Sequence, residues 1–86
     1  MKTKFILDID YYFERFPDAD FNEVYEENYK ESGWLSDGFD TIYKIYDKKY
    51  KLHVKDSISF EIGSYTVIFK SVWIDDDMII YVVKQE

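Results

Sequence analysis

Cysteine is absent from the 86 residues, so neither a disulfide nor a thiolate metal site can hold this chain together. That absence fits a reducing compartment, and the expected location is the cytoplasm. Histidine, arginine and proline each occur once and glycine three times. A lone imidazole, His53, provides no histidine acid/base pair, and scattered glycines provide no loop to cradle a phosphate. No run approaches the roughly 20 apolar residues of a membrane-spanning helix. Lys2 and Lys4 precede only a few apolar residues before Asp8 and Asp10 interrupt, unlike a secretory signal.

What the chain has in quantity is aromatic rings and carboxylates. Nine tyrosines, seven phenylalanines and two tryptophans can fill a small core, and one domain spanning 1–86 should bury roughly 60 to 65 % of its unfolded surface. Eighteen acidic residues against eleven basic leave a net charge of −7. All of that excess sits in residues 1–40, where four basic residues face eleven acidic ones, whereas residues 41–86 carry seven of each. Such asymmetry bears on partners and solubility rather than on fold.

Period-two alternation in residues 3–9 predicts a strand with Phe5, Leu7 and Ile9 on one face. Residues 10–16 fit a strand extension or a helical turn equally, and Pro17 sets a boundary after Phe16. Asp20 with Glu23 three residues on marks a helix start, Phe21, Val24, Tyr25 and Tyr29 make its apolar stripe, and Gly33 supplies the stop, about three turns later. Asp37-Gly38 signals a turn. Beyond it the pattern is almost all strand. Residues 41–46 and 49–55 read as a hairpin that puts Thr41, Tyr43 and Ile45 on an apolar face and Lys44, Tyr46, Lys49, Lys51, His53 and Lys55 on a basic one. Residues 58–62 and 65–69 read as a second hairpin around Gly63-Ser64, with Ile62 facing Tyr65 and Ile58 facing Phe69. A third folds 70–74 onto 78–84 around Asp75, Asp76 and Asp77, by a two- or a three-residue loop that decides whether Ile80 or Tyr81 faces the core. The stretch 64–74 is apolar on both alternating faces, with Tyr65, Val67, Phe69 and Trp73 on one, and is expected to be a central strand covered on both sides. The resulting fold class is α+β: an N-terminal strand and one amphipathic helix (1–40, acidic) packed on a curled five-stranded antiparallel meander (41–86), with closure into a small barrel as its limiting form.

No constellation for catalysis emerges. His53 reads as a solvated strand residue between lysines, and the three consecutive aspartates lack the alternating spacing of a calcium loop, so no catalytic residue, metal or cofactor is expected. Two surfaces remain. Glu23, Glu26, Glu27 and Glu31 fall on one exposed helix face, Asp18 and Asp20 adjoin them, Asp8, Asp10 and Glu14 can extend the field, and Tyr11, Tyr12 and Phe13 can serve as aromatic anchors. Lysines and arginines that grip phosphates accept carboxylates by the same charge-assisted bonds, so this row suits a basic, nucleic-acid-binding protein such as a nuclease. The ordinary alternative is a helix kept soluble by glutamates. The Lys44, Tyr46, Lys49, Lys51, His53 and Lys55 face offers a second class of function, single-stranded nucleic-acid binding by a small barrel, against the ordinary alternative of a lysine-protected sheet edge.

In size, acidity and lack of catalytic residues the chain resembles the small inhibitors encoded by bacteriophages and mobile elements, including nucleic-acid mimics that block restriction or CRISPR nucleases. That resemblance is one of profile and transfers no residue. It implies a non-enzymatic inhibitor or regulator acting by protein–protein contact.

Overall fold

The alternation that begins at Thr3 does produce a strand, and the computed structural model, which describes all of residues 1–86, places β1 at Lys2–Leu7. Two short helices follow, α1 (Asp10–Arg15) and α2 (Phe21–Asn28), then β2 (Leu35–Ser36), β3 (Ile42–Tyr46), β4 (Ser57–Ser59), β5 (Ser64–Trp73) and β6 (Met78–Gln85). The strands form one open sheet in the order β2-β3-β1-β6-β5-β4. β1 runs parallel to β6 and antiparallel to β3, and the other pairs are antiparallel. No helix is long and apolar enough to cross a membrane.

This arrangement is α+β but not a five-stranded meander, and it does not close into a barrel. The reason lies in β1, which inserts between β3 and β6 and occupies the β3 edge that the expected 41–46/49–55 hairpin needed. The other edge of β3 is taken by β2. Residues 49–55 therefore form no strand, although their side chains alternate. Around Tyr50 and Leu52 the backbone bonds go to side chains instead. Thr3 Oγ1 donates to Lys48 O at 2.6 Å and accepts from Tyr50 N–H at 3.2 Å, and the Tyr81 hydroxyl donates to Tyr50 O at 2.6 Å and accepts from Leu52 N–H at 3.0 Å. Two hydroxyls thus pair half-buried backbone groups that no ladder serves.

Both remaining hairpins have four-residue loops, not the shorter ones expected. β4 and β5 join through residues 60–63, so Ile58 faces Tyr65 rather than Phe69. The shift frees Phe60 to fold inward, where its ring meets Phe5 at 5.1 Å and both Trp34 and Tyr65 at 5.5 Å. β5 and β6 join through residues 74–77, Trp73 faces Met78, and Tyr81, not Ile80, is buried.

Within the acidic region, residues 10–15 resolve as α1, and Phe16 leaves helical geometry ahead of Pro17. Asp20 caps α2 by accepting the Asn22 N–H at 3.1 Å. The helix stops after eight residues, earlier than Gly33. Asn28 Nδ2 binds Val24 O and Lys30 N–H reaches back to Tyr25 O, turning the chain so that Trp34 enters the core with 1 % of its surface exposed. Gly33 takes φ +84°, which a non-glycine residue adopts only with strain, in the turn beyond the helix.

One face of the sheet carries the core. Phe5 and Leu7, Ile42, Tyr65 and Val67, and Ile79, Tyr81 and Val83 pack beneath Val24, Tyr29 and Trp34. The opposite face has no covering layer. On it Leu35, Tyr43, Ile6, Val82 and Phe69 stand in one row across β2, β3, β1, β6 and β5; Ile45, Lys4, Ile80 and Ser71 form the next row; Lys2, Met78 and Trp73 form a third. A register shift between Val67 and Phe69 turns Phe69 and Trp73 away from the side that Tyr65 and Val67 face. β5 is therefore neither central nor covered on both sides. Its second apolar face is open, with Phe69 56 % and Trp73 51 % exposed.

Candidate functional site

The positions of the acidic candidates follow directly from the two helices. α2 turns Val24 into the core and leaves Glu23, Glu26 and Glu27 exposed. Glu31 is exposed too, but it lies in the turn after α2 and not on the helix, a correction to the four-residue helical row. Asp18 and Asp20 precede α2, and the Asp20 carboxylate is engaged as its cap. Rings join α1 to α2: Tyr12 meets Phe13 at 5.6 Å and Phe16 at 5.1 Å, and Phe13 meets Phe21 at 6.4 Å. Tyr12 is therefore partly a packing residue. Tyr11 is exposed, with Lys84 Nζ 5.5 Å from its ring centre.

None of the eleven acidic side chains of residues 1–40 has a lysine, arginine or histidine nitrogen within 4.0 Å. The one ion pair of the chain joins the Met1 α-ammonium to Asp77 at 3.5 Å. Asp37 is satisfied differently. Its Oδ1 accepts the backbone N–H groups of Phe39, Asp40 and Thr41 at 2.8 to 3.0 Å, and these bonds, those from Thr41 and Phe39 foremost, hold its carboxyl down to about 2. It anchors a loop. No group of three His, Asp or Glu side chains is placed to hold a metal ion, and that includes the run at Asp75.

The basic candidates do not stay together. Lys44 and Tyr46 are paired with Phe5 and Thr3 on the core face, the reverse of the expected orientation, while Tyr43 and Ile45 point to the open face. Lys44 can sit inward because its Nζ donates to Ser32 O at 2.9 Å and lies 5.2 Å from the Trp34 ring centre and 4.9 Å from that of Phe60. Desolvation lowers its pKa, opposed by the charge of Glu61. Tyr46 meets Phe5 edge to face and lies parallel to the Phe60 ring. Lys55, with φ +80°, belongs to the turn where its N–H bonds Val67 O.

Three of the basic residues do converge. Lys49, Lys51 and His53 line a hollow of about 450 Å³ together with Lys70, over a floor that includes Tyr50 and Tyr81, and no carboxylate lines it. Sequence reasoning missed Lys70 because it comes from β5, brought there by pairing with Tyr81 across the β5–β6 ladder. Thr3 and Tyr81, which pin the loop carrying Lys49 and Lys51, were likewise missed. A hydroxyl that bonds to backbone 29 to 47 residues away leaves no local pattern.

Comparison of the chain with known protein families, with curated proteins and with solved structures yields no match. The functional reading therefore rests on these surfaces alone.

Proposed function

We propose that this chain is a small, non-enzymatic protein-binding module that docks through its acidic helical side on a basic, nucleic-acid-binding protein and blocks or regulates it. The observation that supports this reading is that eleven carboxylates in residues 1–40 have no cationic side chain beside them. Uncompensated charge of one sign raises the potential over that side and speeds encounter with the opposite sign. Glu23, Glu26 and Glu27 project from an element held by buried Val24 and Tyr29, so the row is presented by a packed scaffold. A guanidinium or ammonium that ordinarily grips phosphate can be met there by carboxylate.

The test is binding to purified nucleases and other DNA-binding proteins at about 50 mM and about 500 mM salt, with and without competing duplex DNA. Binding that falls with salt, is displaced by DNA and is lost when Glu23, Glu26, Glu27 and Glu31 become Gln supports the reading. Unchanged binding by the fourfold Gln variant rejects it.

One observation favours a second reading, single-stranded nucleic-acid binding: the carboxylate-free hollow of Lys49, Lys51, His53 and Lys70, with the half-buried Tyr50 ring in its lining. Its test is direct titration with a short single-stranded oligonucleotide. Binding should weaken on Lys49→Ala, Lys51→Ala and Lys70→Ala and be indifferent to the glutamate changes.

A further inference from the structure

The uncovered face of the sheet has no part in either reading above. Sheets are ordinarily closed by a second layer, and an apolar patch of several hundred Å² on a soluble protein is often a contact surface. Here the row Leu35, Tyr43, Ile6, Val82 and Phe69 crosses five strands without a charge, and Trp73 stands two rows away on the same face. We infer that this face is an isologous interface on which a second copy of the chain seats its own open sheet, closing a two-layer sandwich.

Area is the first argument. A large aromatic ring buries about 150 to 250 Å², so Phe69 and Trp73, 56 % and 51 % exposed, together leave about 200 Å² in water. Leu35 and Ile45, 49 % and 44 % exposed, and the half-buried Ile6, Tyr43, Met78, Ile80 and Val82 bring the apolar total to about 400 to 500 Å². A standard interface of about 800 Å² per partner, a little over half of it apolar, requires about 450 Å². The two figures agree.

Charge is the second. The three rows hold two charged residues, Lys2 and Lys4, and no carboxylate; Lys4 Nζ already lies 4.7 Å from the Tyr43 ring centre, its stem along the sheet. Two lysines disfavour a basic partner on this face, so the protein proposed to dock on the acidic side is not its occupant. A second copy brings the same two lysines, whose long stems let the ammoniums turn to the rim, and it keeps its α2 glutamates on the far side of the sheet; the carboxylate on this face, Glu86, lies beyond the three rows, bound to Ser57 and Thr66. With sheets about 10 Å apart and a helix layer outside each, the two acidic layers stand roughly 30 Å from one another, about four screening lengths at physiological salt.

Sedimentation equilibrium from about 1 µM to about 200 µM tests this directly. The expected result is a monomer–dimer equilibrium whose dissociation constant rises about tenfold or more for Phe69→Lys and for Trp73→Lys. Ile74→Lys, 82 % exposed in the hairpin loop outside the rows, should leave it unchanged. Far-ultraviolet dichroism of each variant reports folding, and the unaltered protein supplies an independent readout. Trp34 is 1 % exposed and Trp73 51 % exposed, so acrylamide should quench about half of the emission in dilute solution and much less in the dimer. A chain that stays monomeric at about 200 µM overturns the inference. So does a dimer indifferent to Phe69→Lys and Trp73→Lys, or one in which Trp73 stays open to acrylamide.

Discussion

Replacing Tyr81 by Phe removes one oxygen from the molecule and, with it, two of the bonds that hold the middle of the loop between β3 and β4. The ring is completely buried, so the substitution opens no new exposure and leaves the shape of the core intact. What it deletes is a donor to Tyr50 O at 2.6 Å and an acceptor of Leu52 N–H at 3.0 Å. At about 1 kcal/mol net per hydrogen bond the loss is about 2 kcal/mol. Both backbone partners are only half-buried, so water recovers part of their desolvation and the loss should not exceed about 3 kcal/mol. In a domain this small that lowers Tm by about 10 °C. Thr3→Val, deleting the bonds to Lys48 O and Tyr50 N–H, should cost a similar amount. Because the two hydroxyls hold the two sides of one residue, Tyr50, the double variant should cost less than the sum: a loop released at one point gains less from the other. Urea unfolding gives the energies, with an unchanged m-value as the sign that only stability moved. Amide exchange gives the location. Tyr50 N–H should lose protection first in Thr3→Val and Leu52 N–H first in Tyr81→Phe. Losses under about 0.5 kcal/mol in both single variants, or protection unchanged at both amides, would refute the assignment of this loop to hydroxyl anchors.

Other perturbations act on single features. The Asp37 carboxyl lies below its unfolded value of 3.8, so its contribution is complete above that pH and fades as pH falls toward about 2. A carbon-detected titration should place its midpoint there, and Asp37→Ala should expose the Phe39, Asp40 and Thr41 amides to exchange. Burial, aided by Tyr11, pushes the Tyr29 phenol up to about 12; the folded state favours the neutral form, so this contribution is intact below 10.0 and disappears as pH rises toward about 12. Absorbance titration should show Tyr29 ionising late, with Tyr46 and Tyr65 also raised above the ordinary phenol range, each chiefly by burial. Ile42→Ala, at a site with no exposed surface, should cost about 2 to 5 kcal/mol, whereas Ile62→Ala, 61 % exposed, should cost no more than about 0.5 kcal/mol.

What could be read from the residues was whatever depends on near neighbours. Phe5 and Leu7 alternate with Lys4 and Ile6, and the odd positions face the core. Asp20 stands where a helix must begin, and it caps α2. What failed was pairing between distant segments. β1 and β6 lie 76 residues apart at the Lys2↔Met78 pair and run parallel, and no local pattern announces that contact. Once β1 occupies β3, the alternation of residues 49–55 has no ladder to join, so a correct reading of its side chains leads to a wrong strand. Lys44 misled for a different reason: a lysine normally marks the wet face, but here two rings and the Ser32 carbonyl receive the ammonium on the inner side. For the candidate sites, exposure of the glutamates followed from helical period, whereas the hollow of Lys49, Lys51 and His53 needed Lys70 from β5. β5 carries the broadest lesson. Apolar residues on both its sides indicate that both prefer to leave water, and they do not indicate that this chain covers both.

That distinction makes ionic strength a means of separating the two surfaces. Docking through unpaired carboxylates weakens as salt shortens the screening length from about 8 Å toward about 3 Å, since its attraction is between charges near solvent. Association through the open sheet responds in the opposite sense. Each copy carries −7, salt screens the repulsion between copies, and sulfate strengthens apolar burial further. One titration read by two assays, partner binding and self-association, should therefore diverge. If both fall together, the dimer is held by charge and its seam is not the row from Leu35 to Phe69. If partner binding survives high salt, the carboxylates of α1 and α2 are not what the partner grips.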